Sequence, residues 1–147
     1  MLGFGDKATE LYRMINPIEH ARTKEASNKY KVEPYVIPAD IYGCSNLAGR
    51  GGWTWYTGSS SWYYKAGIEY ILGLKVRNRF LSIEPCIPKD WKEYSIRYKW
   101  KNSIYNIKVK NPNGKNNGVE KIILNGIEVK NKIQLEDVGI FNIEVQM

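Results

Sequence analysis

The apolar residues of this chain change period once, at Gly73, and that single change limits what the chain can fold into. Before it they recur at helical spacing; after it they alternate with polar residues, as on strands with one face in a core. In the first half Asp6 is placed to cap a helix carrying Ala8, Leu11, Tyr12 and Ile15 at i, i+3, i+4 and i+7, and Asn16-Pro17 ends it. His20 to Tyr30 allows another turn or two of helix. Val32 to Tyr42, with two prolines, reads as an extended connection, and Cys44 to Gly52 as a loop with three glycines in Gly49-Arg50-Gly51-Gly52. A second clear helix is expected from about Thr57 to Gly73, with Trp62, Ala66, Tyr70 and Ile71 on its buried side.

Beyond Gly73, Leu74 and Val76, then Leu81 and Ile83, alternate with polar residues about a turn at Arg77-Asn78-Arg79. Tyr94, Ile96, Tyr98 and Trp100 alternate strictly with Ser95, Arg97 and Lys99, and a strand through Ile107 and Val109 follows a turn at Asn102-Ser103. Asn111 to Gly118 is a long polar loop. Asn125-Gly126 is a hairpin signal between Val119–Leu124 and Ile127–Val129. With Ile133-Leu135 and Phe141, Ile143 and Val145, seven or eight strands are expected, hence an α+β chain: a helical part, residues 1–73, followed by an antiparallel β-sandwich, residues 74–147.

Of the net charge of +7, +6 lies in residues 75–147. Arg97, Lys99, Lys108 and Lys110 fall on outward alternation positions, which a solvated sheet face explains better than a nucleic-acid surface with interleaved aromatics. No run reaches the roughly 20 apolar residues of a membrane span. Nothing near the start has the basic and then apolar pattern of an export signal, so the expected location is cytoplasmic. Cys44 and Cys86 are too far apart in sequence for a redox or metal pair and are expected to be reduced core thiols. With one His and two distant Cys, no metal site is expected.

Six of the 19 aromatic residues, Trp53, Trp55, Tyr56, Trp62, Tyr63 and Tyr64, lie within twelve positions. Their apolar rings and polar tips suit a sugar or nucleobase pocket as well as a core. Within the cluster the helix opening Thr57-Gly58-Ser59-Ser60-Ser61 leaves backbone N–H groups free to point at an anion. Gly58 permits close approach, and the Thr57 and Ser59 hydroxyls add donors, although the same residues also simply cap helices. No complete catalytic constellation accompanies them. Glu33, Asp40, Glu69, Glu84 and Asp90 form no pair with catalytic spacing. No nucleophile elbow accompanies His20, which reads as a surface or supporting residue. Asp40 stands out for its place before the aromatic loop, with structural hydrogen bonding and ligand contact both open.

The segments Tyr30-Lys-Val-Glu-Pro-Tyr-Val36, Ala39-Asp-Ile-Tyr42, Gly49-Arg-Gly-Gly-Trp-Thr-Trp-Tyr-Thr-Gly-Ser59, Gly67-Ile-Glu-Tyr-Ile-Leu-Gly-Leu74 and Ile83-Glu-Pro-Cys-Ile-Pro-Lys-Asp-Trp91, in this order, resemble glycoside hydrolase family 94. That family holds cellobiose and chitobiose phosphorylases, 1,2-β-oligoglucan phosphorylases and the phosphorylase-like end of cyclic β-1,2-glucan synthases. The Arg-Gly-Gly-Trp-Thr-Trp-Tyr-Thr-Gly-Ser wording is nearest to the β-1,2-glucan members. The resemblance implies the last helices of an (α/α)6 barrel, incomplete here, followed by a jelly-roll-like C-terminal sandwich.

It also implies an inverting phosphorylase. Inorganic phosphate, a co-substrate and not a resident cofactor, attacks the anomeric carbon of a β-glucan oligosaccharide while an Asp protonates the leaving oxygen, giving α-glucose 1-phosphate. Thr57, Gly58 and, beside them, Ser59 match the family's phosphate-binding segment, and Asp40, Trp55 and Tyr56 lie in segments bordering its sugar site. The family's general acid and its phosphate-binding Arg and His lie upstream of these motifs and have no counterpart here; His20 falls after the matching His position. No catalytic residue is therefore expected in this chain, which alone is expected to be inactive and to need the upstream barrel in cis or as a separate chain. Leu11, Tyr12, Trp53 and Trp62 are then expected to present apolar surface that the other helices would cover. The alternative is a non-catalytic carbohydrate-binding β-sandwich, which would display a row of exposed aromatics.

Overall fold

Residues 2–55 and 57–147 are described by the computed structural model, and the change of period at Gly73 is where regular strand pairing begins. The first half holds α1 (Gly5–Met14), α2 (Pro17–His20), α3 (Lys24–Tyr30), the two-residue strands β1 (Asp40–Ile41) and β2 (Gly51–Gly52), and α4 (Thr57–Lys65), which runs on as a π-helix over Ala66–Ile71. Local chemistry sets the ends. Asn16 terminates α1 and caps α2, its Oδ1 accepting from the Ile18 N–H at 3.0 Å, with Pro17 in the first turn where no N–H is needed. Thr23 caps α3 through the Ala26 N–H at 3.1 Å. Asp6 departs from expectation. It lies inside the first turn of α1, and its carboxylate accepts from the Lys89 N–H and the Asn116 amide instead of capping the helix.

The chain divides into two compact units, one made of Met1–Thr9 with Ile68–Met147, the other of Glu10–Gly67. In the first, the strands are β3 (Leu74–Arg77), β4 (Phe80–Ile83), β5 (Glu93–Trp100), β6 (Asn102–Lys110), β7 (Lys121–Leu124), β8 (Ile127–Val129), β9 (Ile133–Gln134) and β10 (Val138–Gln146). They form a five-stranded sheet in the order β5-β6-β10-β7-β8 and a three-stranded sheet in the order β3-β4-β9. Two sheets of this kind are consistent with the expected sandwich, but its strands are not all antiparallel: β10 runs parallel to β6 over its whole length, Val138 opposite Asn102 to Gln146 opposite Lys110. Period-two alternation marks which face a residue takes and is silent on strand direction. The hairpin at Asn125-Gly126 is as expected, both residues holding the positive φ of a type I′ turn.

Alternation decides burial. On β6, Ser103, Tyr105, Ile107 and Val109 are buried; on β10, Ile143 and Val145; on β4, Leu81 and Ile83. Each fully buried aliphatic of this kind contributes about 1.5–3 kcal/mol relative to exposure. The outward lysines pair with carboxylates, Lys108 with Glu93 at 3.0 Å and Lys110 with Glu144 at 2.8 Å. Such exposed pairs are worth about 0–1 kcal/mol, which fits a solvated face.

Asparagine side chains hold this unit's irregular backbone. Asn111, fully buried, donates to the Trp91 and Lys115 carbonyls and accepts from the Lys115 N–H. Asn116 bridges Ile87 and Asp6, and Asn117 donates to the Gly3 carbonyl.

In the second unit Tyr30, Val32 and Val36 form a small buried cluster with Ile41 against it. Much of its remaining apolar surface faces outward. Leu11, Met14, Ile15, Ile18, Trp53 and Trp62 are all exposed. Trp62 was expected on a buried side, as was Tyr70, which is 47% exposed; of that stripe Ile71 is buried. For Tyr70 the wider π-helical turn from Ala66 breaks the 3.6-residue register on which that expectation rests; Trp62 precedes that turn, and its exposure agrees with the other expectation, of an uncovered apolar surface.

Candidate functional site

Strands β1 and β2 pair antiparallel, Asp40 opposite Gly52 and Ile41 opposite Gly51. Their ends are tied by the Tyr42 N–H to the Arg50 carbonyl and the Gly49 N–H to the Tyr42 carbonyl, both at 2.8 Å. Two glycines are required here. A Cβ on Gly51 would collide with Val32, and one on Gly52 with both the Asp40 carboxylate and the Tyr42 hydroxyl. Asp40 and Tyr42 are two residues apart on an extended segment, so they share a face, and their polar tips converge over the space that Gly52 leaves open.

Beyond Gly52 the backbone takes left-handed conformations at Trp53 (φ 52°) and Trp55 (φ 64°). For a residue with a Cβ this costs about 1–2 kcal/mol, and both rings stand exposed, at 68% and 61%. Trp55 meets Tyr35 edge to face, ring centroids 6.1 Å apart. Two residues later α4 opens at Thr57-Gly58-Ser59 with no acidic residue in its first turn to repel an anion. Gly58 has open space where a Cβ would be, and the Ser61 hydroxyl donates to its carbonyl at 3.0 Å. Asp40, Trp55 and the Thr57–Ser59 turn thus lie in one compact unit, Asp40 bound across β1/β2 to the segment that leads into α4. Tyr56 lies outside the described residues, as does the side chain of Thr57.

Two residues of this region carry no signal as site residues in the expectations above: Tyr42, visible as the i+2 partner of Asp40, and Tyr35, beside Trp55. Within the same unit Tyr12 stacks on Tyr63, ring centroids 3.9 Å apart, and the Tyr63 hydroxyl donates to the Tyr12 carbonyl. The desolvation that accompanies this packing, with that hydrogen bond, pushes the Tyr63 phenol well above its ordinary pKa.

Other candidates have structural partners. His20 Nε2 is 2.6 Å from the Met14 carbonyl and its ring stacks on Tyr30. Glu69 pairs with Arg77 and Glu84 with Lys75, each at 2.6 Å. Both cysteines are free thiols, but only Cys86 is buried; Cys44 is exposed on the loop between β1 and β2, a correction to its expected place in a core. Among the described residues no group of three or more His, Cys, Asp or Glu is placed to hold a metal ion, and no helix is long and apolar enough to cross a membrane.

The sandwich offers little to a sugar ring. Tyr94, Tyr98 and Trp100 are half-buried on one face of β5, and the Tyr94 hydroxyl donates to the Leu72 carbonyl at 2.7 Å. A groove of about 520 Å³ beside β7 and β8 is lined by Glu120, Lys121, Glu128 and Lys130, and one of about 580 Å³ on the five-stranded sheet by Arg97, Asn106, Lys108 and Asn142; neither has an aromatic lining residue.

Comparison with known proteins adds two matches to family models. Residues 1–73 match "Glycosyl hydrolase 94 superfamily, catalytic domain", and residues 74–115 match "Glycosyl hydrolase family 65, C-terminal domain". The chain is 47% identical over 104 residues to the cyclic beta-(1,2)-glucan synthase NdvB of Rhizobium meliloti (strain 1021), covering 71% of this chain and 4% of that protein. It is 36% identical over 133 residues to N,N'-diacetylchitobiose phosphorylase of Vibrio proteolyticus, 90% of this chain and 16% of that protein. Solabiose phosphorylase of Paenibacillus borealis is 30% identical over 128 residues, 86% of this chain and 16% of that protein. The chain thus spans a small part of the length of each of these relatives.

Proposed function

This chain belongs to glycoside hydrolase family 94, and on that premise we propose that it is the C-terminal part of an inverting β-glucoside phosphorylase acting on β-glucan oligosaccharides. Residues 1–73 are then the end of the (α/α)6 catalytic barrel, and residues 74–147 the C-terminal sandwich. The observation that carries this reading is the strip from β1/β2 through the exposed tryptophans into α4, whose first turn offers Thr57, Gly58 and Ser59 without a nearby acidic residue in that turn. A helix start of this kind holds phosphate by pointing backbone N–H groups at it. Asp40, Trp55 and Tyr56 border the sugar.

In the reaction a phosphate oxygen forms a bond to the anomeric carbon from the face opposite the leaving group. The glycosidic bond breaks, and a carboxylic acid gives its proton to the departing oxygen, leaving α-glucose 1-phosphate and a shortened saccharide. Phosphate is already nucleophilic, so one carboxyl group serves where a hydrolase of this class uses two. That acid comes from barrel residues outside this chain, and the chain alone turns over no substrate. A cytoplasmic setting suits the chemistry, since a charged sugar phosphate is retained by a membrane.

The test is phosphate release from α-glucose 1-phosphate with a glucose acceptor. The chain alone is expected to release none. Joined to, or mixed with, the remaining barrel it is expected to be active, and Thr57→Ala is then expected to raise the KM for α-glucose 1-phosphate in this assay and the KM for phosphate in the phosphorolytic direction. Turnover by the chain alone would refute the assignment of the acid elsewhere.

A further inference from the structure

We propose that Asp40 and Tyr42 act together as a hydroxyl-binding pair on a sugar, and that Gly52 is glycine because their tips must meet. The inference deepens the phosphorylase reading and rests on it for the class of ligand, a neutral glucoside. Three observations carry it. Asp40 lies directly across from Gly52, and Tyr42, two residues on and tied by its backbone to Arg50 and Gly49, falls on the same face. A Cβ on Gly52 would collide with the Asp40 Oδ1 and with the Tyr42 hydroxyl, so both polar groups already occupy the space above that residue. Asp40 is exposed and Tyr42 half-buried, and both tips are without a hydrogen-bond partner among the described residues.

A carboxylate only accepts hydrogen bonds, whereas a phenol both donates and accepts. Held side by side, the two match adjacent hydroxyls of a pyranose: the carboxylate accepts a hydrogen bond from one hydroxyl, and the phenol donates one to the neighbouring oxygen. Hydrogen bonds to a charged acceptor are the stronger kind, so Asp40 supplies more of the affinity. Tyr42, on a rigid ring whose position is fixed by the β1/β2 pairing, selects which hydroxyl pair fits. The geometry asks for no charge on the ligand and no metal.

The experiment uses the whole chain and methyl β-glucoside, titrated by ligand-observed and amide-detected NMR, with the 2-deoxy and 3-deoxy glucosides as comparisons. The wild-type chain is expected to bind the parent glucoside, weakly, with amide shifts at residues 39–42 and 51–53. Tyr42→Phe, which keeps the ring, is expected to weaken binding roughly fivefold and Asp40→Asn roughly tenfold. One of the deoxy glucosides is expected to bind wild type and Tyr42→Phe equally, because the partner hydroxyl is already gone; a purely structural Tyr42 would not produce that equality. Gly52→Ala displaces both tips and is expected to abolish the shifts while the amide spectrum of residues 74–147 is unchanged. Wild-type-like binding by Tyr42→Phe and Asp40→Asn, or no binding by the wild-type chain, would overturn the inference. Neither result touches the phosphorylase reading, whose own test is turnover with the complete barrel.

Discussion

Asn131 and Ile83 exchange two hydrogen bonds, the Asn131 Nδ2 donating to the Ile83 carbonyl and the Ile83 N–H donating to the Asn131 Oδ1, both at 2.9 Å. A side-chain amide thus does for a buried residue of β4 what a neighbouring strand would do, since β9 pairs only with Phe80 and Leu81. Asn131→Ala leaves a donor and an acceptor unpaired in the sandwich and is expected to cost about 2–4 kcal/mol. Asn131→Asp keeps the acceptor but, ionised at neutral pH, sets a charged oxygen against the Ile83 carbonyl, so it is expected to cost at least as much there and less at a pH low enough to protonate it. Urea unfolding followed by circular dichroism measures both; equal midpoints for wild type and Asn131→Ala would sink the assignment.

The same economy appears at Glu136, the middle of the three residues between β9 and β10. Its N–H donates to the Tyr105 hydroxyl and its carbonyl accepts from the Ser103 hydroxyl, both at 2.7 Å. Ser103 and Tyr105 are inward neighbours on β6, and the Tyr105 ring also stacks on Phe141 at 4.7 Å. Tyr105→Phe keeps the stack and removes one acceptor, for an expected loss of about 1–2 kcal/mol. Tyr105→Leu also loses the stack and is expected to cost more. A Tyr105→Phe variant as stable as wild type would mean that water replaces the hydroxyl.

Asp6 gives the unit an acid-sensitive tie. The Lys89 N–H, at 3.0 Å, and the Asn116 amide, at 3.1 Å, hold its carboxyl below the ordinary carboxylate pKa. A folded-state pKa below the unfolded value near 4 means that the stabilisation is present above pH 4 and is lost as the pH falls through the folded value. Unfolding midpoints measured from pH 6 to pH 2 are expected to fall less steeply in Asp6→Asn than in wild type. Parallel curves would show that Asp6 titrates normally.

How much of this was legible follows from what each signal encodes. The positions of β3 to β8 and the Asn125-Gly126 hairpin follow from alternation and turn chemistry, both local, except that the turn expected at Asn102-Ser103 comes earlier, at Lys101 (φ 50°), and both residues open β6. The parallel course of β6 and β10 does not, because inward and outward positions alternate alike in either direction. The tasks of Asn111, Asn116 and Asn131 were hidden as well: a polar loop residue and a backbone clamp have the same letter, and only the fold says which carbonyl lies within reach. At the candidate site, Thr57-Gly58 and Asp40 stood out by motif, whereas Tyr42 needed the pairing of Asp40 with Gly52 to bring its hydroxyl beside the Asp40 carboxylate.

The exposed tryptophans provide the last prediction. Trp53, Trp55 and Trp62 are 68%, 61% and 66% exposed, while Trp91 and Trp100 are half-buried. Most of the chain's indole fluorescence therefore arises from water-facing rings, and acrylamide is expected to quench more than half of it. Because such a ring makes few contacts, Trp62→Phe is expected to change stability by no more than about 0.5 kcal/mol; the Trp62 ring has Lys65 at 5.4 Å, an exposed cation–π contact that adds little. Under the phosphorylase reading these rings, with Leu11 on α1, face the rest of a barrel. Adding that part of the protein is expected to shift the emission to shorter wavelength and to protect it from acrylamide, and in that assembly Trp62→Phe becomes costly. If quenching of the isolated chain is slight, or a stability loss appears without the added barrel, the rings are packed already and the open face does not exist.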